Sequence, residues 1–276
     1  MKVEEIRDAP TEERLAATDG IDRWSAKEIL EAIHHEDRNA FEAVQRVLPE
    51  IEAAVGVLVR VVESGGRWFN VGAGTSGRMG ALDAAELPPT FGIDPERVQA
   101  IVAGGDTAMR RAVEGAEDDA QAGARVLEEL GLGERDAVLG ISASGRTTFT
   151  CGALEAASRS GAETLALTCD SASPLAQRAH ISIAPEVGPE VIAGSTRMKG
   201  GLAQKMVLHL LSTTAMVRLG RVAGNLMTNL TPVNAKLRER ALRILMSLGK
   251  VDEARARALL EQFGGDVSAA LALLER

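Results

Sequence analysis

The chain has 276 residues, 45% apolar and 25% charged, a composition typical of a soluble globular protein with one main core. Its net charge of −8 gives no basic field for nucleic acid, and two Trp, five Phe and no Tyr offer little for base stacking. No stretch of about 18 uncharged apolar residues is present to cross a bilayer, and the first ten residues lack the apolar core of a secretory signal, so we expect a cytoplasmic protein that binds neither nucleic acid nor membrane.

The first part of the chain is predicted to be helical. Apolar residues recur at intervals of three and four from Ser25 to Ser64, and Pro49 marks the start of a second helix within this stretch. After residue 66 the period changes, because short apolar runs alternate with helix-length segments. The five runs are "WFNVG", "VQAIVAG", "DAVLGIS", "ETLALTC" and "HISIAP". This alternation predicts an α/β fold, a three-layer sandwich with a mainly parallel sheet.

The end of the chain returns to helical patterns. A long apolar helix is predicted over Thr196–Leu219, another over Asn234–Leu248, and two short helices around Gly264. The long helix must bury its apolar face, for which a lone domain offers incomplete cover, so we expect a homodimer. The expected regions are an N-terminal helical segment (1–56), an α/β domain (57–221) and a small C-terminal helical region (222–276).

Cysteine and histidine residues give no sign of a metal site. Cys151 and Cys169 are the only cysteines, and they form no C-x-x-C pair. The four histidines have neither triad nor metal spacing. We therefore expect core thiols and a protein that needs no metal and no cofactor.

Two loops share a Ser-Gly-Arg signature. "VGAGTSGR" (71–78) and "GISASGRT" (140–147) each follow an apolar run and precede a helical segment. Ligands of open α/β sheets bind at the carboxyl ends of the strands, so both loops can converge on one ligand. Hydroxyl groups and helix-start N–H groups suit a phosphate. The candidate binding residues are Thr75, Ser76, Gly77, Arg78, Ser142, Ser144, Gly145, Arg146 and Thr147.

The first loop has other interpretations. Its glycines also have the G-x-G-x-x-G spacing of dinucleotide sites, and Asp106 after the next apolar run fits the acidic residue of that fingerprint. The glycines can also be purely structural, with Ser and Thr as helix caps. Arg78 and Arg146 either contact phosphate or form salt bridges. The second loop favours a phosphate site.

Further candidates lie outside these loops. "AGSTRMKGG" contributes Ser195 and Lys199 as the far wall of the same pocket, or else it is only a capped helix start with solvated cations. Two acidic candidates are Glu86 in "DAAELPPTFG" and Glu117 in "VEGAEDDA". Taken alone, each glutamate reads as a solvated surface residue.

Four motifs together carry a family resemblance. "GAGTSGRMGALDAAELPPTFG", "AVEGAEDD", "SASGRT" and "GSTRMKGG", in this order and spacing, resemble those of the N-acetylmuramic acid 6-phosphate etherases, bacterial lyases of the sugar isomerase (SIS) domain class. The resemblance runs from about Ile21 to the C-terminus. It implies a homodimer that binds a sugar phosphate and cleaves its lactyl ether, releasing D-lactate and N-acetylglucosamine 6-phosphate in cell-wall recycling. A non-catalytic sugar-phosphate-binding regulator of the same domain class is the main alternative.

The resemblance also implies roles for the two glutamates. It places the proton donor at Glu86 and the second catalytic glutamate at Glu117. This pair of roles agrees with the chemistry, because elimination from a ring-opened sugar requires an acid and a base. We expect Pro88 and Pro89 to end the helix of Glu86, where the dipole favours a protonated acid, and Glu117 to begin a helix after Gly115, where it favours an ionised base.

Overall fold

The computed structural model describes residues 9–230, 232 and 234–274. Its sheet has five parallel strands in the order β2-β1-β3-β4-β5. The strands are β1 (Trp68–Gly72), β2 (Val98–Val102), β3 (Ala137–Ile141), β4 (Glu163–Leu167) and β5 (Ile181–Ile183). Each lies in one of the five apolar runs, so the predicted parallel sheet is confirmed. In this order β1 and β3 are neighbours although a strand separates them in the chain, which makes the cleft between them the point where the winding reverses.

The α-helices pack around this sheet or follow it in the chain. In the described residues they are α1 (Ala26–Arg46), α2 (Leu48–Glu63), α3 (Gly74–Phe91), α4 (Gly105–Arg110), α5 (Ala120–Glu129), α6 (Thr148–Arg159), α7 (Pro174–Arg178), α8 (Lys199–Arg218), α9 (Ala235–Gly249), α10 (Glu253–Gln262) and α11 (Val267–Leu274). The predicted start at Pro49 is confirmed, because Pro49 lies in the first turn of α2. Ser25 and Glu28 form a capping box that starts α1.

The sheet separates two apolar layers. Successive side chains of a strand point to opposite faces, and on β1 Trp68 packs with α2, α3 and α8 while Phe69 packs with α5, α6 and α7. Both side chains are fully buried. Helices therefore cover both faces of the sheet, and the predicted three-layer sandwich is confirmed.

Helix α8 lies at the centre of one layer. It packs against α1, α2 and α3, and Ala203, Val207 and Leu211 are fully buried there. Its own chain therefore covers most of this helix, although Leu202 and Val217 stay exposed, and the homodimer stays a prediction. The division into regions also stays a prediction, and its boundary at residues 56 and 57 falls inside α2, whose residues share one core.

The C-terminal helices have a core of their own. Leu245 of α9, Leu259 of α10 and Val267 of α11 are fully buried against one another. Asn234 caps α9 by accepting a hydrogen bond from the Leu237 N–H at 2.9 Å. The predicted helices on either side of Gly264 are confirmed. Among the described helices, none combines the length and the apolar character that crossing a membrane requires.

Candidate active site

The two Ser-Gly loops follow neighbouring strands, which end beside each other at the same edge of the sheet. The register of β1 and β3 pairs Gly72 with Ile141, the last residues of their strands. Helix α3 begins two residues after Gly72, and the loop Ser142–Thr147 leads into α6. The predicted convergence of the loops at one edge of the sheet therefore follows from this pairing.

The glycines at the start of α3 and the end of β1 allow the two elements to approach closely. A methyl group on Gly72 would lie 2.8 Å from the Ile141 carbonyl oxygen, and one on Gly77 would lie 2.6 Å from the Gly72 oxygen. Gly74 has φ +52°, in the left-handed region that favours glycine. Ala73 at the N-cap has no polar side chain to bond the first N–H groups of α3. Within the part of the chain that the structure describes, the N–H groups of Gly74, Thr75 and Ser76 make no hydrogen bond, so they can bind an anion.

The second loop holds a cluster of hydroxyl groups. The Ser142 Oγ lies 2.9 Å from Thr147 Oγ1 and 3.5 Å from Ser144 Oγ, and it accepts a hydrogen bond from the Gly145 N–H at 3.1 Å. A side chain at Gly145 would overlap Ser173, so the loop can close only around a glycine. The sequence prediction that this loop gathers several hydroxyl groups at one place holds.

The start of α8 lies between the two loops. A methyl group on Gly201 would be 3.6 Å from Cγ2 of Thr75, and one on Gly200 would be 3.7 Å from Cβ of Ala143. Ser195, which is half-buried, precedes this helix by one turn. The motif "AGSTRMKGG" therefore adjoins both loops, and its role as a wall of the same pocket stays a prediction.

Carboxylates of the chain already bond the start of α8. Glu190, almost fully buried, accepts hydrogen bonds from the N–H groups of Lys199 at 3.1 Å and Gly200 at 2.9 Å. Burial raises the pKa of Glu190. The Lys199 ammonium is also buried and pairs with Glu36 of α1. Lys199 thus has a protein partner here, and its contact with substrate stays a prediction.

Both loop arginines are engaged by the protein. Arg146 donates to the Asp170 carboxylate at 2.5 Å and to the Ser144 carbonyl at 2.7 Å, in a largely buried ion pair. Arg78 donates to the Ala108 carbonyl at 2.8 Å and so ties α3 to α4. The salt-bridge interpretation holds for Arg146; phosphate contact by either arginine is still a prediction.

Glu86 does not lie at a helix end. Helix α3 continues through Pro88 and Pro89 to Phe91 and ends at Gly92, which has φ +60° and donates its N–H to the Pro88 carbonyl at 2.9 Å. The expectation that the prolines end the helix is wrong, because this glycine sets the end. Glu86 is exposed and precedes the last turn, so it does not lie at the helix end.

Glu117 does not start an α-helix either. It lies in the short 3-10 helix Ala116–Asp118, and α5 begins later with Asp119 as its N-cap. The Ala122 N–H bonds Asp119 at 2.8 Å and lowers the pKa of that carboxyl. The residue that caps the start of α5 is therefore Asp119, and the expectation that Glu117 begins this helix is wrong. The Glu117 carbonyl accepts from the Thr148 hydroxyl at 3.2 Å, which brings this exposed glutamate beside the second loop.

Polar residues missed in the sequence join α3 to α8. The Ser76 hydroxyl donates to the Gln204 carbonyl oxygen at 3.0 Å, and the Ser212 hydroxyl donates to Asp83 at 3.1 Å. Lys205 Nζ lies 4.0 Å from Asp83. Gln204 and Asp83 lie on the apolar faces of their helices, and this break in the pattern was the available signal.

Asp83 makes stability depend on pH. Burial raises its pKa from 3.8 to about 6. Between pH 4 and 6 the folded protein keeps a proton on Asp83 that the unfolded chain has lost. The free energy of unfolding therefore falls as pH rises through that window, by about 3 kcal/mol in total. We expect Asp83→Asn to gain stability relative to the natural protein by up to this amount between pH 4 and 7, measured by urea unfolding. Parallel pH profiles for both proteins would contradict it.

The two cysteines are buried thiols. Burial raises the pKa of Cys169 to about 12 and also raises that of Cys151. Both thiols are free, so the expectation of core thiols is confirmed. Over residues 9–230, 232 and 234–274, no group of three or more His, Cys, Asp or Glu side chains is arranged to hold a metal ion.

Comparison with known proteins identifies similar families and enzymes. Residues 50–158 match the glucokinase regulatory protein N-terminal SIS domain, and residues 126–214 match the SIS domain. The chain is 48% identical to the N-acetylmuramic acid 6-phosphate etherase of Jannaschia sp., over 91% of this chain and 79% of that protein. It is 46% identical to N-acetylmuramic acid 6-phosphate etherase 1 of Enterococcus faecalis, over 95% of this chain and 88% of that protein.

Solved structures share the fold at lower identity. A phosphoheptose isomerase from Francisella tularensis has a TM-score of 0.54 and 23% identity, over 70% of this chain and 99% of that one. A phosphoheptose isomerase from Neisseria gonorrhoeae has a TM-score of 0.54 and 18% identity, over 69% and 98%. At these identities the similarity shows the fold alone.

Proposed function

Because the chain belongs to the N-acetylmuramic acid 6-phosphate etherase family, we propose that it is a carbon–oxygen lyase that converts N-acetylmuramic acid 6-phosphate to N-acetylglucosamine 6-phosphate and D-lactate. The observation that carries this proposal is the pair of hydroxyl-rich loops at the carboxyl ends of β1 and β3. The reaction belongs to the recycling of cell-wall amino sugars, in the cytoplasm. The regulator alternative is not favoured, since the relatives similar over most of the chain are named as enzymes.

The phosphate of the substrate binds between the two loops. The open N-terminal N–H groups of α3 and the hydroxyl groups of Ser76, Ser142 and Ser144 supply donors. Thr75, Gly77, Gly145 and Thr147 complete the loops. The overall negative charge of the protein disfavours an anion, so these local donors determine binding.

The chemistry is an elimination followed by a hydration. In the ring-opened sugar the C1 aldehyde acidifies the C2 proton, which the Glu117 carboxylate removes. The electron pair forms a C2–C3 double bond, the C3–O bond breaks, and Glu86 gives its proton to the departing lactyl oxygen. Water then adds its hydroxyl at C3 and a proton returns to C2. One water molecule is consumed, and no electrons are gained or lost.

A lactate assay tests the proposed function. Purified protein incubated with N-acetylmuramic acid 6-phosphate should release D-lactate and N-acetylglucosamine 6-phosphate in equal amounts, measured by a lactate dehydrogenase assay and mass spectrometry. Tight binding of the sugar phosphate without lactate release would favour the regulator alternative. Tight binding of NAD with no heat from amino-sugar 6-phosphates would restore the dinucleotide interpretation of the first loop.

A groove between α2 and α8, lined by apolar and charged side chains, supports the proposed homodimer. The groove has a volume of about 620 Å³ and is lined in part by Leu48, Val55 and Leu210. Leu48 is 46% exposed. Exposed apolar surface of this kind is suited to a two-fold interface. We expect light scattering to detect a dimer, and Leu48→Asp to shift it to a monomer. Leu130→Asp is the matched control, because Leu130 follows α5 on the opposite face of the sheet.

A further inference from the structure

Gln204 has an unpartnered polar atom inside the candidate site. The residue is 1% exposed, and its Nε2 has no hydrogen-bond partner in the described structure. Its Oε1 accepts from Ser76, which lies in the first turn of α3 beside the open N–H groups. A buried amide that leaves a donor unused loses stability, so this arrangement calls for a functional explanation.

The bond between Ser76 and Gln204 conflicts with phosphate binding. A serine hydroxyl has one hydrogen, and here it is donated to Gln204. A phosphate dianion offers only acceptors. Ser76 can therefore donate to a phosphate only if its hydrogen is released from Gln204.

Rotation of the amide by 180° releases that hydrogen. After the rotation Nε2 donates to the Ser76 oxygen, and Oε1 takes the place that Nε2 held. Either orientation makes one bond to Ser76 and leaves one amide atom unpartnered, so the two are similar in energy without a ligand. A ligand that accepts the Ser76 hydrogen selects the rotated form.

We propose that Gln204 is a positioning residue that orients the Ser76 hydroxyl, so that Ser76 donates to the phosphate of a bound sugar phosphate. This inference rests on the proposed function for its ligand. Gln204 acts through Ser76. Its place on the buried face of α8, between Gly200 and Leu208, keeps the side chain against α3 while the terminal amide rotates.

A double-mutant cycle tests the coupling between the two residues. We expect Gln204→Met, which keeps the length of the side chain but cannot donate, to weaken binding of N-acetylglucosamine 6-phosphate about tenfold by calorimetry. In the Ser76→Ala protein the same change should cost less than about twofold, because the hydroxyl to be oriented is absent. Ser212→Ala, on the same helix interface, is the control and should affect both backgrounds equally.

The outcomes separate this inference from the proposed function. Equal losses in both backgrounds would indicate a packing role for Gln204 and overturn the inference, even if lactate is still released. Inorganic phosphate is the second ligand: the same coupling with phosphate but no lactate release would support Gln204 and contradict the etherase activity. If the natural protein binds neither ligand, both proposals fail. Unfolding midpoints of all variants show whether each is folded.

Discussion

Replacing Glu86 by Gln is expected to slow lactate release about 10²- to 10⁴-fold, the usual contribution of a positioned acid or base. The departing lactyl oxygen carries an electron pair and leaves poorly as an alkoxide. The amide of Gln cannot supply the proton. Removal of the C2 proton does not depend on this group, so exchange at C2 should continue in the variant.

Deuterated water separates the two steps for Glu86→Gln. Mass spectrometry of the recovered substrate should find deuterium at C2 while D-lactate stays near background. Glu129→Gln is the matched control, because Glu129 is also an exposed helical glutamate but lies at the end of α5 away from the loops. Loss of exchange together with cleavage would instead assign the base role to Glu86.

The exposure of both glutamates bears on this experiment. Neither Glu86 nor Glu117 is buried within one chain, so neither has the apolar surroundings that tune catalytic carboxyls in many enzymes. The helix ends expected to tune them are also absent, since α3 runs past Glu86 and α5 starts after Glu117. We therefore expect the bound substrate or a second subunit to provide the environment that separates their proposed roles.

The sheet and its loops could be predicted because their signals are local. An apolar run followed by Gly, Ser and Thr marks a strand and the turn after it wherever the strand lies in the sheet, so β1 and β3 were found with their loops. The convergence of the two loops could also be predicted, from the general position of ligands in such folds, but the pairing of β1 with β3 is known only from the structure.

Interactions between distant parts of the chain could not be predicted. Lys199 pairs with Glu36, 163 positions away, and no spacing in the sequence connects them. Glu190 belongs to no motif in the sequence, and only the fold brings it to the start of α8. The end of α3 differs from the prediction for another reason: the helix accommodates Pro88 and Pro89 and ends at Gly92, which has the left-handed conformation.

Glu117→Gln is expected to lower both the rate of exchange at C2 and the rate of lactate release, each by about 10²- to 10⁴-fold. If Glu117 is the base, nothing downstream can proceed without it, because the C3–O bond breaks only as the C2 electron pair forms the double bond. The structure supports this role through position: the Glu117 carbonyl is held by Thr148 at the start of α6, next to the hydroxyl groups of the second loop.

The comparison of variants decides between the mechanisms. Glu114→Gln is the control for charge, since Glu114 is an exposed neighbour in the same acidic segment and should retain activity within about threefold, as expected for a group that makes no proton transfer. Thr148→Ala should lower activity modestly by loosening the Glu117 segment without removing the carboxylate. Exchange that persists in Glu117→Gln while cleavage stops would swap the two roles. Near-normal turnover in both glutamate variants would remove the paired-carboxylate mechanism and place the acid and base elsewhere, with the buried Glu190 at the start of α8 the next carboxyl to replace.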